Sequence, residues 1–138
     1  MDGRSFLGVA RELAIGTTEA HWRTAAGRAY YALMLAGRDC LQRWGFSPPA
    51  RDRLHAFVGL RFSFAADADL KQIGVALDYL SQLRNRADYE PHSPSFTSNL
   101  RAQRAITDAS RALSILDAVD GDPARRAAAI ASIRAAWP

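Results

Sequence analysis

The sequence has one cysteine, Cys40, and one lysine, Lys71. It also has no apolar run approaching the roughly 18 residues that a membrane-spanning helix needs. A single cysteine excludes an internal disulfide and fits a reducing cytoplasm. The missing apolar run excludes a spanning helix. Residues 1–15, interrupted by Arg4, Arg11 and Glu12, lack the apolar core of a signal peptide. No stretch alternates apolar and polar residues as a strand does, and no Asn-Gly or Asp-Gly pair sits between β-branched runs. Without strands there is no Gly-rich phosphate loop running from strand to helix. His21, His55 and His92 are isolated in sequence and no second cysteine exists, so metal-ligand spacing is absent and neither metal nor cofactor is expected. With its one cysteine far in sequence from any histidine, the chain shows no readable nucleophile–base pair.

What the chain does have is alanine, arginine and helical periodicity. Lys71 is the one lysine among 18 basic residues; the rest are arginine, and with 14 acidic residues the net charge is +4. Arginine favours bidentate contact with phosphate or carboxylate and stacks on flat rings, which suits nucleic acid or nucleotide. The competing explanation is compositional: an Ala- and Arg-rich chain also arises from coding-sequence base composition. The 138 residues, 49% of them hydrophobic, suffice for one domain, residues 1–138, with its own core.

Residues 4–14 read as a short amphipathic helix with Phe6, Leu7, Ala10, Leu13 and Ala14 inward. Thr17 or Thr18 can cap a long second helix, Glu19 to Trp44, ended by Gly45. Its small residues Ala25, Ala26, Gly27 and Ala29 let a partner helix approach closely. A third helix covers Ala50 to Ser63, with Leu54, Phe57, Val58 and Phe62 as its packing face. Asp67 or Asp69 suits the cap of a fourth, Leu70 to Glu90. Pro91 to Pro94 forces a loop. Ser95 then caps a fifth helix, Phe96 to Val119, with Phe96, Leu100, Ile106, Ala109, Leu113 and Leu116 inward. Asp122 and Pro123 start a last, thinly packed helix ending near Ala136. The expected fold is all-α: an up-and-down bundle of four to five main helices plus short terminal ones.

The fourth helix carries the most informative position. At about 100° per residue, Leu70, Ile73, Ala76, Leu77, Leu80, Leu83 and Ala87 share one arc. Arg84 falls inside that arc, Asp88 follows at i+4, and Arg86 projects towards solvent. A guanidinium in an apolar arc is costly unless it is paired or faces a wet groove. Two explanations stand: a structural ion pair at the helix end, or a polar functional groove. The chemistry-bearing residues are therefore Arg84, Asn85 and Asp88, with Tyr89 and His92 just past them. His92 could act as a general base or acid, since an imidazole suits proton transfer. His55 reads as a half-buried helix residue bonded to backbone, and Tyr30 and Tyr31 as core and interface residues.

Two stretches resemble one helical family. AAGRAYYALMLAGRDCLQRWG, residues 25–45, matches a small-residue, Arg, Tyr-Tyr-Ala run. LSQLRNRADYEP, residues 80–91, matches an Arg-polar-x-Ala-Asp-Tyr signature, and His55 sits where a histidine often lies between the two. On these residues the chain resembles a small stand-alone bacterial branch of the HEPN domains (higher eukaryotes and prokaryotes nucleotide-binding). The resemblance implies a helical bundle that pairs as a homodimer and binds RNA or nucleotide. It also implies metal-independent RNA cleavage in toxins or phage defence, often beside a nucleotidyltransferase-type antitoxin. In catalytic members an Arg, a neighbouring polar residue and a His four to six residues later form the site. Carried over, Arg84, Asn85, Asp88 and His92 are the implied catalytic residues, and Arg28, Tyr31, His55, Arg86 and Tyr89 the RNA- or nucleotide-binding ones. Ala87-Asp88-Tyr89 occupy the positions where the in-helix His belongs. The alternative is a non-catalytic module that binds nucleotide or a protein partner.

Overall fold

The long second helix is the scaffold. In the computed structural model, which describes residues 1–137, six helices follow in order: α1 Ser5–Ala14, α2 Glu19–Arg43, α3 Arg51–Phe64, α4 Ala68–Tyr89, α5 Leu100–Asp120 and α6 Pro123–Ala136. A short 3-10 turn, Pro94–Phe96, lies between α4 and α5. The protein is an all-α bundle with α2 packed against α1, α4 and α5. The third helix packs mainly on α4, and α6 closes over α5 and α3. Among the described residues, no helix is long and apolar enough to cross a membrane.

Local chemistry sets the boundaries. The Thr18 hydroxyl accepts from the His21 N–H and caps α2. Asp67 caps α4 by accepting from the N–H groups of Asp69 and Leu70. Asp122 does the same for Ala124 at the start of α6. Gly45 ends α2 with φ at +95°, a conformation that costs a residue with a Cβ far more than glycine. The expected start of the fifth helix is displaced. Ser93, not Ser95, caps the 3-10 turn that holds Phe96 fully buried, and α5 begins only at Leu100. Leu100, expected inward, is 69% exposed, because the turn has already placed Phe96 under the bundle.

One core runs through the bundle, with Leu33, Leu41, Val58, Phe62, Leu70, Ile73, Leu80, Phe96, Leu116 and Ile133 completely covered. The small face of α2 is consumed by it: Ala25, Ala26 and Ala29 are buried, and a Cβ on Gly27 would lie 3.8 Å from Cγ of Arg84. The close approach expected of that face is thus made within the chain, by α4 at Gly27 and by α1 and α5 at Ala25, which packs with Ala14 and Ala102, and the face is not free for a second copy.

A second close approach sets the spacing of α3 and α4. A Cβ on Gly74 would fall 2.7 Å from Ser63 Cα and 2.8 Å from Ser63 N. Alanine at an ordinary helical site gains about 1 kcal/mol over glycine. Here the backbone of α3 must retreat instead, so Gly74→Ala is expected to destabilise the protein by about 1–3 kcal/mol. Urea denaturation checks this: a midpoint at or above that of the wild type means the two helices are not held together at Gly74.

At the far end, Arg125 ties α6 to the start of α4, each of its terminal nitrogens 2.9 Å from a carboxylate, Asp67 and Asp69. Burial pushes the Asp67 carboxyl up, but its bonds to Arg125 and to two helix N–H groups outweigh that and hold it below the usual carboxylate range. The thin helix α6, burying only Ala129 and Ile133, is therefore pinned by charge as well as packing.

Candidate functional site

Three helices bring their chemistry to one place. The second helix supplies Arg28, Tyr30 and Tyr31, α3 supplies His55, and α4 supplies Arg84, Asn85 and Asp88. Arg84 is the hub. Its side chain is only 20% exposed, its Nε lies 3.1 Å from Asp88 Oδ2, and its Nη2 donates to Tyr31 Oη at 2.9 Å. Nη1 donates to Asn85 Oδ1 at 3.3 Å. The contact to Asp88 is an ion pair only: Nε is buried and its direction makes no hydrogen bond. The Arg84 guanidinium also lies 5.3 Å from the centre of the Tyr31 ring. Arg28 approaches the same ring at 5.0 Å and the Phe6 ring at 5.2 Å, with no carboxylate partner among the described residues. Two guanidinium groups thus share one aromatic ring while a single carboxylate, itself largely exposed, balances them.

The second half of the cluster is a tyrosine–histidine pair. Tyr30 is 2% exposed, and its Oη lies 2.5 Å from His55 Nδ1. The two rings stack, 5.6 Å between centres and 15° between planes. The Tyr31 ring meets His55 edge-on at 5.9 Å and so joins the pair to Arg84. Burial lowers the His55 pKa below its usual value, and the positive charge of Arg84 lowers it further. Burial raises the Tyr30 phenol, opposed by the Ser81 hydroxyl and Arg84. At neutral pH the pair is therefore an uncharged imidazole against an intact phenol. It lines a cavity of about 280 Å³ between α3 and α4, with Ala56, Gly59, Leu77 and Ser81. A larger groove of about 460 Å³, between α4 and α5, holds Lys71, Tyr79, Arg104 and Arg111 but none of the cluster. The chemistry points to the smaller one, because Tyr30 and His55, whose pKa values are shifted, both line it, although Arg84 and Arg28 are not among its lining residues.

Of the residues singled out from sequence, Arg28, Tyr31, His55, Arg84, Asn85 and Asp88 come together. Three do not. Arg86, expected to point into solvent, is half-buried and donates to Ser95 Oγ at 3.2 Å, because the loop after α4 folds back over it. Tyr89 is 73% exposed. His92 is exposed in the loop beyond α4, with no side-chain hydrogen bond among the described residues. His55 does not bond to backbone as expected; its partner is the Tyr30 side chain. Cys40 lies in the core, where burial pushes its thiol up to about 12, which leaves it an inert packing residue. Among the described residues, no group of three or more His, Cys, Asp or Glu could hold a metal ion.

Sequence reasoning assigned no chemistry to Tyr30 or Ser81, and did not anticipate Arg23. The adjacent Tyr30-Tyr31 pair was the available signal. Neighbours on a helix point about 100° apart, so one ring can sit in the core while the next faces a groove. No family model, curated protein or solved structure matches the chain.

Proposed function

We propose that the chain is a HEPN-type helical domain that binds single-stranded RNA, with Arg84 and Arg28 holding a phosphate across the Tyr31 ring. The observation that carries this reading is the shared ring: two guanidinium groups meet there against one exposed carboxylate. Such a surplus of fork-shaped donors suits a phosphodiester, and the half-buried Tyr31 ring beside it suits a base. In this reading two copies pair as the family does, through a surface other than the small-residue face of α2. A second reading is a non-catalytic module that docks a partner such as a nucleotidyltransferase-type antitoxin. It is favoured by His92, which stands outside the cluster.

Fluorescence anisotropy with a 5′-labelled oligouridylate tests the first reading. Saturable binding is expected, weakening steeply as salt rises. Arg28→Ala, with its helical circular dichroism unchanged, should bind about tenfold more weakly and lower the salt slope by about one. Absence of binding at low salt ends the RNA reading, and so does an Arg28→Ala protein with wild-type affinity and slope.

A further inference from the structure

We infer that the groove between α4 and α5 binds a small amphiphilic anion, a carboxylate carried on an apolar tail. The site is separate from the arginine–tyrosine cluster and does not depend on the RNA reading. Tyr79, on its wall, and Arg84 are five positions apart on α4, about 140° around the helix, so the two sites face different sides of the bundle. The groove measures about 460 Å³, which is within the range of small-molecule sites and larger than the cavity beside His55.

The charge of the groove is one-sided. Three cations line it, Lys71, Arg104 and Arg111, against one carboxylate, Asp108. Asp108 Oδ2 sits 3.5 Å from Arg104 Nε and offsets that guanidinium alone. Arg111 is exposed and makes no ion pair or hydrogen bond among the described residues. Lys71, the chain's one lysine, donates to the Ser63 carbonyl at 3.3 Å, and its ammonium keeps further donors. The Tyr79 hydroxyl is covered, yet it has no hydrogen-bond partner. A phenol left so is costly, and an incoming carboxylate oxygen would accept from it. The Arg104 guanidinium lies 5.0 Å from the centre of that ring on a side chain 62% exposed, so it can move aside as the hydroxyl finds its acceptor.

The floor decides what the anion carries. Val75, Ala76, Ala112 and Ile115 form it, and Val75 is 70% exposed. A bare inorganic anion leaves that apolar surface wet, whereas a tail along the groove removes it from water. The floor is too poor for a partner helix, which needs large anchors repeated turn by turn. Ala76 and Ala112 are small, and Val75 stands alone as an open, large apolar side chain. A nucleic acid fits poorly as well, because Arg104 already lies over the Tyr79 ring, where a base would stack. Two cations without carboxylates, a phenol without an acceptor and an open apolar floor are satisfied together by a carboxylate on a short hydrocarbon chain.

The test is isothermal titration calorimetry of the full chain with octanoate, acetate and octylammonium. Octanoate should bind saturably, and acetate and octylammonium at least about tenfold more weakly, the first for want of a tail and the second for the wrong charge. Arg111→Ala should weaken octanoate about tenfold. Arg101→Ala, which removes an exposed guanidinium of α5 outside the groove, should stay within about twofold. Tyr79→Phe should weaken octanoate about fivefold while its urea midpoint is no lower than that of wild type, because the hydroxyl has no partner to lose. The single lysine gives a second readout. Saturating octanoate should slow the acetylation of Lys71 by acetic anhydride, followed by mass spectrometry, and leave that of the chain's α-amine unchanged. Absence of octanoate binding overturns the inference, as does acetate or octylammonium matching octanoate. Arg111→Ala equal to Arg101→Ala, Tyr79→Phe with wild-type affinity, or Lys71 acetylated at an unchanged rate does the same. Binding to phosphatidylglycerol vesicles but not to octanoate would make this face a membrane contact, and displacement of octanoate by oligouridylate would make it part of an RNA track; either result also overturns it.

Discussion

Arg84→Leu is expected to fold at least as stably as wild type while binding RNA at least about tenfold more weakly. The two halves of this expectation come from the same position. Leu77, Leu80, Leu83 and Ala87 around it are buried, and the aliphatic stem of Arg84 already packs over Gly27. Its Nε is covered without a hydrogen bond, a loss of about 1–3 kcal/mol that a leucine would not carry. Replacing a half-buried ion pair with an apolar side chain of similar reach is often neutral or favourable, and a gain of up to about 2 kcal/mol is reasonable here. Asp88, with a side chain 44% exposed, is rehydrated at little cost, and Tyr31 Oη can turn to water. On the ligand side, removing one of two guanidinium groups over Tyr31 removes a charge-assisted phosphate contact, worth about 1.5–3 kcal/mol. Urea midpoints and RNA anisotropy on the same preparations decide it. A loss of about 2 kcal/mol or more in stability with unchanged RNA affinity would make Arg84 a structural clamp and nothing else.

The parts of this site that were readable from sequence are those fixed by a single helix. Arg84 inside an apolar arc and Asp88 at i+4 need only the helical repeat, and both are as expected. The helix starts were legible for the same reason, Asp122 outright and the others to one of two residues, of which the structure uses Thr18 and Asp67, since a cap acts on the next two or three N–H groups. The start of α5 was not. Phe96 reads as the first apolar residue of a helix. In the folded chain it is the anchor of a separate turn, and what competes for it is the space left at the end of α4, which no local pattern encodes.

The tyrosine–histidine pair was beyond reach for a related reason. Tyr30 and His55 are 25 residues apart, on α2 and α3, and their contact depends on how close those two helices sit. A close approach between them lies at Gly37, where a Cβ would fall 3.1 Å from Phe62 and 3.2 Å from Val58, residues that carry no chemistry. Position on a helical wheel tells that a ring is inward, but not what it meets there. Resemblance to a family directed attention to an in-helix histidine and then to His92. The packing instead presents His55, from an adjacent helix, to the same arginine.

The largest loss of stability is expected at a residue outside the cluster, Arg23. Arg23→Ala should cost about 2–4 kcal/mol and unravel the last turn of α4. Its side chain is 12% exposed and crosses from α2 to the end of α4. There Nη1 donates to the carbonyls of Arg86, Ala87 and Glu90, and Nη2 to those of Pro91 and Ser93. Nε and Nη2 also hold Glu19 at 2.9 and 2.8 Å, and the guanidinium lies 5.0 Å from the Phe96 ring. The final carbonyls of a helix have no partner within it, and here one planar fork serves them and the following loop together. Alanine would strand these carbonyls and leave Phe96 without its cover. Arg23→Lys should recover less than half of the loss, because three donors on one nitrogen cannot reach five divergent acceptors. Denaturation in urea measures the cost, and hydrogen exchange of the amides from Tyr89 to Ser93 measures where it falls. Because Asp88 lies in that turn, the Arg84–Asp88 pair should loosen too, and RNA affinity should drop with no contact to RNA removed. Unaltered exchange across those amides in Arg23→Ala would show that the turn holds itself, and that the ion pair of the site does not depend on α2 at all.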